Sequence, residues 1–170
     1  VDQAYGEFYG KTAIPLVKKY KNLVILKSLS KFAGLAGARI GYLIADESLS
    51  RIFDAIRFPM GVSYLSYKLA ETVLTNDQQW MKKQAEMIKN ERVRLSQALR
   101  ALGLFVYPSE ANFLLVTMGK NAKTICQKLK SNGMLVRDKS SKPFLSGCVR
   151  VTVRSPREND QLIDTLRKIL

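Results

Sequence analysis

Ser28-Leu29-Ser30-Lys31-Phe32-Ala33-Gly34-Leu35-Ala36-Gly37-Ala38-Arg39-Ile40-Gly41-Tyr42 is the stretch on which the reading of this chain turns. A single lysine stands there among hydroxyls and glycines, eight residues before an arginine. A partly desolvated lysine can lose a proton and form an imine with an aldehyde, whereas an arginine keeps its charge and forks onto phosphate oxygens. Lys31 suits the first role and Arg39 the second. Ser28 and Ser30 can donate hydroxyl protons, and Gly34 and Gly37 allow a tight turn or close approach to a ligand. An aldehyde cofactor carrying a phosphate would use all of these groups. Taken by composition alone, Leu23-Val24-Ile25-Leu26 and Arg39 to Ala45 also fit two strands joined by a connector that binds nothing.

The order of residues resembles the lysine motif of the class I/II aminotransferases, the fold-type I family that uses pyridoxal phosphate. There a Ser/Thr-x-Ser-Lys stretch is followed by a Gly-rich loop and Arg-x-Gly-Tyr. Upstream, Asp2-Gln3-Ala4-Tyr5-Gly6-Glu7-Phe8 is similar to the Asp-x-x-Tyr element of the same family. The resemblance implies that Asp2 pairs with the cofactor's pyridine nitrogen and that the Tyr5 hydroxyl faces its ring oxygen. Ser28 and Arg39 would then hold the phosphate, with Ser30 as helper, and Lys31 would carry the cofactor and shuttle the proton. A carboxylate on the ring nitrogen keeps the ring cationic and electron-accepting.

Downstream, three stretches resemble the C-terminal domain of the histidinol-phosphate aminotransferase branch: Ser109 to Val116, Gly133 to Asp138 and Gly147 to Val153. In that branch the last-strand arginine binds the substrate's anionic end, and the matching residue is Arg150. Period-two alternation puts Val149, Val151 and Val153 on one face and Arg150, Thr152 and Arg154 on the other. The family usually has glycine at the place of Arg154, which bears on how the strand end approaches the substrate.

Composition bounds the alternatives. With 170 residues, 46% hydrophobic and 25% charged, the chain reads as a globular domain or two small units. No apolar run is long enough to span a bilayer, and no secretion signal opens the sequence. Two cysteines, Cys126 and Cys148, make no disulfide framework; they read as packed thiols in a reducing cytoplasm. The absence of histidine excludes imidazole-based nucleophilic catalysis and disfavours the usual zinc sites, so no metal is expected. The net charge of +14, with seven basic residues against one acid between Lys120 and Lys142, raises a nucleic-acid-binding module as the alternative. No zinc-finger, RNA-recognition or helix-turn-helix pattern accompanies it, so no nucleic-acid partner is expected; the charge could instead steer phosphorylated substrates.

Periodicity gives the layout. Leu16 to Tyr20 closes a short helix or loop, and Leu23 to Leu29 and Arg39 to Ala45 read as strands, the second of them buried. Asp46 opens a helix through Ile56. From Ser66 the pattern is helical almost to Leu102, with a break near Thr75-Asn76-Asp77. Met81, Ala85, Ile88, Leu95, Leu99 and Leu102 line one stripe of a helix of about 25 residues, nearly 40 Å long. Trp80 near its start reads as a packing residue. Phe113 to Met118, Met134 to Asp138 and Val149 to Val153 read as strands, with a helix from Lys123 to Ser131. Ser155-Pro156-Arg157-Glu158 starts a last helix.

The fold class that the resemblance implies is α/β: part of the large-domain sheet of a fold-type I aminotransferase, a long linking helix and a small C-terminal α/β domain. Residues 1–75 would be the C-terminal part of the cofactor-binding domain, and residues 76–170 the linking helix and small domain. Family chains are roughly twice this long, so the chain reads as a C-terminal half lacking the ring-stacking aromatic and half of the phosphate cradle. It is expected to be inactive alone, to bind pyridoxal phosphate weakly at best, and to expose apolar strand faces. The intact enzyme implied by the resemblance is a cytoplasmic homodimer that transaminates histidinol phosphate with 2-oxoglutarate in histidine biosynthesis. Aromatic amino acid aminotransferase and threonine-phosphate decarboxylase are the alternatives of the same fold.

Overall fold

The computed structural model describes residues 1–170. Its contacts divide into two units, Val1–Ala85 and Glu86–Leu170. The division falls inside the long helix.

In the first unit the chain enters extended. Leu26 N donates to Val1 O and Gln3 N donates to Leu26 O, both at 2.9 Å, so Asp2 bridges Leu26 in parallel. A short helix α1 (Gly6–Tyr9) follows and ends at Gly10 in the left-handed region. Strand β1 (Val24–Ser28) pairs antiparallel with β2 (Gly41–Ala45), with Lys27 opposite Tyr42 and Ser28 opposite Gly41. A Cβ at residue 41 would stand 2.7 Å from Lys27 O, so glycine alone lets β2 start beside β1. The sequence reading of β2 needs correction on two points. It starts at Gly41 because Arg39 has φ +51°, which ends extended structure, and its residues are half-buried or exposed, with Tyr42 39% exposed, rather than buried.

Helix α2 (Glu47–Ile56) starts at Asp46, whose carboxylate accepts from Ser48 N at 3.2 Å and from Lys21 at 2.6 Å. Helix α3 (Tyr64–Asn76) is capped by Ser63, with α4 (Gln78–Ala101) directly after it. Asp77 makes the expected break. The buried apolar cluster is small: Leu29, Ala33, Ala70 and Met81, flanked by Phe32, Leu35, Ile40 and Val73.

The second unit is a four-stranded antiparallel sheet in the order β3 (Phe105–Val106), β4 (Phe113–Thr117), β6 (Cys148–Thr152) and β5 (Arg137–Asp138). Leu114, Val116, Val149 and Val151 pack on Leu95 and Leu99 of α4, Ile125 and Leu129 of α5 (Ala122–Ser131), and Leu162, Ile163 and Leu166 of α6 (Pro156–Ile169). Strand β5 is shorter than the sequence suggests. Met134 N donates to Leu129 O, so Met134 completes the exit from α5 after Gly133 rather than entering the sheet.

A buried polar hub secures α6 to α4. Asn159, 1% exposed, donates to Glu91 at 2.7 Å and to Arg154 O at 2.9 Å, and accepts from Arg154 N at 3.1 Å. Arg94 forks onto both Glu91 oxygens at 2.9 and 2.8 Å, which holds that carboxyl below its ordinary range. The clamp on residue 154 is made by its backbone at a negative φ, so an arginine fits there without strain. No helix is long and apolar enough to cross a membrane.

Candidate functional site

The loop from Ser28 to Gly41 is pinned on both sides of Lys31. Leu29 and Ala33 are buried, Leu35 N donates to Leu29 O at 3.0 Å, and Leu29 N donates to Ile40 O at 3.2 Å. Lys31 lies between these anchors and is exposed, its ammonium 5.9 Å from the centroid of the Tyr5 ring. Apolar anchoring of its neighbours fixes the base of the lysine, while its tip is exposed rather than partly desolvated as the sequence reading supposes.

The hydroxyls and the arginine belong to the same loop. Ser28 Oγ accepts from Ser30 N at 3.2 Å, which leaves the Ser28 hydroxyl proton for an outside acceptor. Arg39 takes left-handed backbone angles, φ +51° and ψ +42°, and its guanidinium donates to Ala36 O at 3.3 Å. A non-glycine residue in that region costs roughly 1 kcal/mol or more, a cost that recurs where a side chain is presented to a ligand. Asp2 lies beside the middle of β1, bridging Leu26, and is exposed, accepting from Ala4 N at 2.8 Å at the turn that leads to Tyr5. The first unit thus holds Asp2, Tyr5, Ser28, Ser30, Lys31 and Arg39 on β1, its loop and its edge.

Arg150 lies in the second unit, on the face of β6 opposite the core. Its guanidinium carbon is 5.3 Å from the Phe113 ring centroid, and its buried Nε has no hydrogen-bond partner. Its cross-strand partner is Arg137. Two cations directly opposite each other destabilise a sheet unless an anion lies between them. The segment Ser109 to Asn112, part of the resemblance, serves this strand: Ser109 Oγ donates to Phe113 O at 2.6 Å, and Val153 N donates to Asn112 O at 2.9 Å.

With this geometry in place, the family assignment rests on a direct match. The model of the aminotransferase class I and II family matches residues 1–166. The chain belongs to that family. Histidinol-phosphate aminotransferase of Caldanaerobacter subterraneus is 39% identical over 171 residues, covering 100% of this chain and 48% of that protein. The crystal structure of histidinol-phosphate aminotransferase from Sinorhizobium meliloti in complex with pyridoxal-5'-phosphate superposes with TM-score 0.82 at 30% identity, over 99% of this chain and 48% of that one. L-threonine-O-3-phosphate decarboxylase from Porphyromonas gingivalis gives TM-score 0.83 at 28% identity, over 99% of this chain and 53% of that one. This aminotransferase chain spans about half the length of the curated relatives it matches.

Sequence reasoning missed two features of this aminotransferase chain. Lys27 is buried and pairs with Glu7 at 2.7 Å, a contact between residues too far apart for local pattern to show. Trp80, read as a packing residue, lies with its ring edge 3.9 Å from where a Gly34 Cβ would stand and is half exposed. Arg137 counted as part of a basic run and of a predicted strand, and its pairing with Arg150 follows from strand register. A cavity of about 340 Å³ near Met134, Thr152, Arg154 and Glu158 includes none of the seven expected site residues. Cys126 and Cys148 are free, and burial, then Asp138, pushes the Cys126 thiol up, as suits a packed thiol.

Proposed function

We propose that this chain is the C-terminal half of an enzyme that transaminates histidinol phosphate with 2-oxoglutarate, using pyridoxal phosphate. The observation that carries the reading is Lys31, exposed above the Tyr5 ring in a loop that also presents Ser28 and Arg39. The donor set fits the cofactor: an amine for the aldehyde, two hydroxyls and a guanidinium for the phosphate, and a carboxylate for a ring nitrogen. Pyridoxal phosphate, when bound, supplies an aldehyde that links to amines and a cationic ring that draws electrons from the adjacent carbon.

The chain's own residues then divide the work. Arg39, Ser28 and Ser30 would hold the phosphate; Asp2 would keep a proton on the ring nitrogen; the Tyr5 hydroxyl would donate to the ring oxygen. Lys31 would hold the cofactor through its amine and would accept and return a proton at the substrate's α-carbon. Arg150, with Arg137 across the strand pair, takes the anionic end of the substrate. Residues 1–75 form the C-terminal part of the cofactor domain, and residues 76–170 the linking helix and small domain. Two free thiols suit a cytoplasmic protein, and the apolar surface of the first unit suits a homodimer. Nucleic acid is not proposed as a partner.

The higher identity to histidinol-phosphate aminotransferases favours that substrate over threonine phosphate, although an arginine pair accepts either phosphate. The full-length protein, assayed with histidinol phosphate and 2-oxoglutarate, is expected to form glutamate. Release of carbon dioxide from threonine phosphate, with no glutamate formed, would replace this reading with the decarboxylase.

A further inference from the structure

Beside the Lys31 loop lies a partly buried ion pair that the proposed chemistry does not use. Lys27 is on the covered face of β1, its side chain 6% exposed, and its ammonium donates to Glu7 Oε1 at 2.7 Å. Glu7 is in α1, two residues after Tyr5. Its second oxygen, Oε2, is buried with no hydrogen-bond partner. Tyr42, the cross-strand partner of Lys27, completes the group: burial, then the Glu7 charge, pushes its phenol up. Gly6 permits the approach, since a Cβ there would stand 3.3 Å from Lys27 Nζ.

This pair is the ionic tie between α1 and β1. Helix α1 has a single buried residue, Phe8, and no side-chain cap at its start. A four-residue helix does not persist without tertiary anchoring. The position of the Tyr5 ring under Lys31 therefore depends on where the Glu7 carboxylate is held. A partly buried carboxylate left with an apolar neighbour is driven to turn toward water or to take a proton.

We infer that Glu7 and Lys27 are positioning residues for the cofactor site: their ion pair sets α1 on β1 and thereby holds the Tyr5 ring at the Lys31 ammonium. The inference rests on the reading of Lys31 as the cofactor lysine for its consequence, while the placement of the ring can be read without any cofactor.

The test uses the full-length protein and its variants Lys27→Met, Lys27→Arg and Tyr5→Ala. In the unmodified protein the Lys31 side-chain methylene NMR signals carry a ring-current shift, which Tyr5→Ala abolishes. Lys27→Met is expected to lose that shift and to bind pyridoxal phosphate at least about tenfold more weakly, whereas Lys27→Arg restores both. A folded Lys27→Met protein with the shift intact overturns the inference. Should Lys27→Met fail to fold, Glu7→Leu/Lys27→Met removes both charges and leaves an apolar contact; loss of the shift in that folded variant supports the tie, and its retention overturns it. Borohydride reduction of the wild type separates the two claims. An absent Lys31 adduct, with a Lys27-dependent ring-current shift, removes the cofactor reading and leaves the positioning role standing.

Discussion

Lys27 and Lys31 stand four positions apart in sequence and meet opposite surroundings, one buried on a carboxylate, the other exposed above a tyrosine ring. Only the second can reach an incoming aldehyde. Lys31 stands out in the sequence as a candidate because hydroxyls, glycines and Arg39 lie within a few positions of it. Lys27 was not, because its partner Glu7 is brought to it by the parallel approach of the N-terminal segment, which no local pattern encodes. Arg39 lends itself to a quantitative test. A charge-assisted contact to phosphate is worth about 1.5–3 kcal/mol, so Arg39→Ala should weaken pyridoxal phosphate binding by the full-length protein about 10- to 100-fold. Ser28→Ala should cost less. Spectrophotometric titration checks the order, and equal effects would remove Arg39 from the phosphate site.

At the scale of elements, α6 follows its sequence signal closely. Ser155 and Glu158 form a capping box, with Glu158 Oε2 accepting from Ser155 N at 3.3 Å and from Ser155 Oγ at 2.6 Å. The Ser155 hydroxyl first, then Arg154, holds the Glu158 carboxyl below its ordinary range. A depressed folded-state pKa means that this contribution is complete above the ordinary glutamate value. It is lost as pH falls through the lower folded value. Ser155→Ala should lower stability by about 1 kcal/mol at neutral pH, and by less in acid. Thermal unfolding of both proteins at the two pH values measures this; a penalty independent of pH would mean that the carboxylate takes no part. Strand β2 was less legible. Its apolar run reads as buried, yet in a two-stranded sheet one face stays uncovered, and the left-handed Arg39 delays its start.

Across the whole molecule, apolar burial is uneven. The second unit encloses fifteen buried hydrophobic residues in one cluster, while the comparable cluster in the first has four. The first unit leaves Leu26 49%, Ile56 73%, Phe58 72%, Met60 83%, Tyr64 76% and Leu65 69% exposed. Exposed patches of this kind favour association. The 170-residue chain is therefore expected to self-associate with concentration in sedimentation velocity, and to show slower amide exchange in β4 and β6 than in β1 and β2. A monomer at every concentration with uniform protection would contradict both expectations. Composition foretold a globular chain, but where the cover is thin depends on which strands find neighbours, and that is a property of the fold. The placement of the cofactor amine is tested most directly by treating the full-length protein with stoichiometric pyridoxal phosphate, reducing with borohydride and mapping the modified peptide. The label should fall on Lys31, with none on buried Lys27, and a Lys31→Ala protein of unchanged fold should take no label and catalyse no transamination. A label on other lysines with Lys31 unmodified, or wild-type turnover by Lys31→Ala, would contradict it.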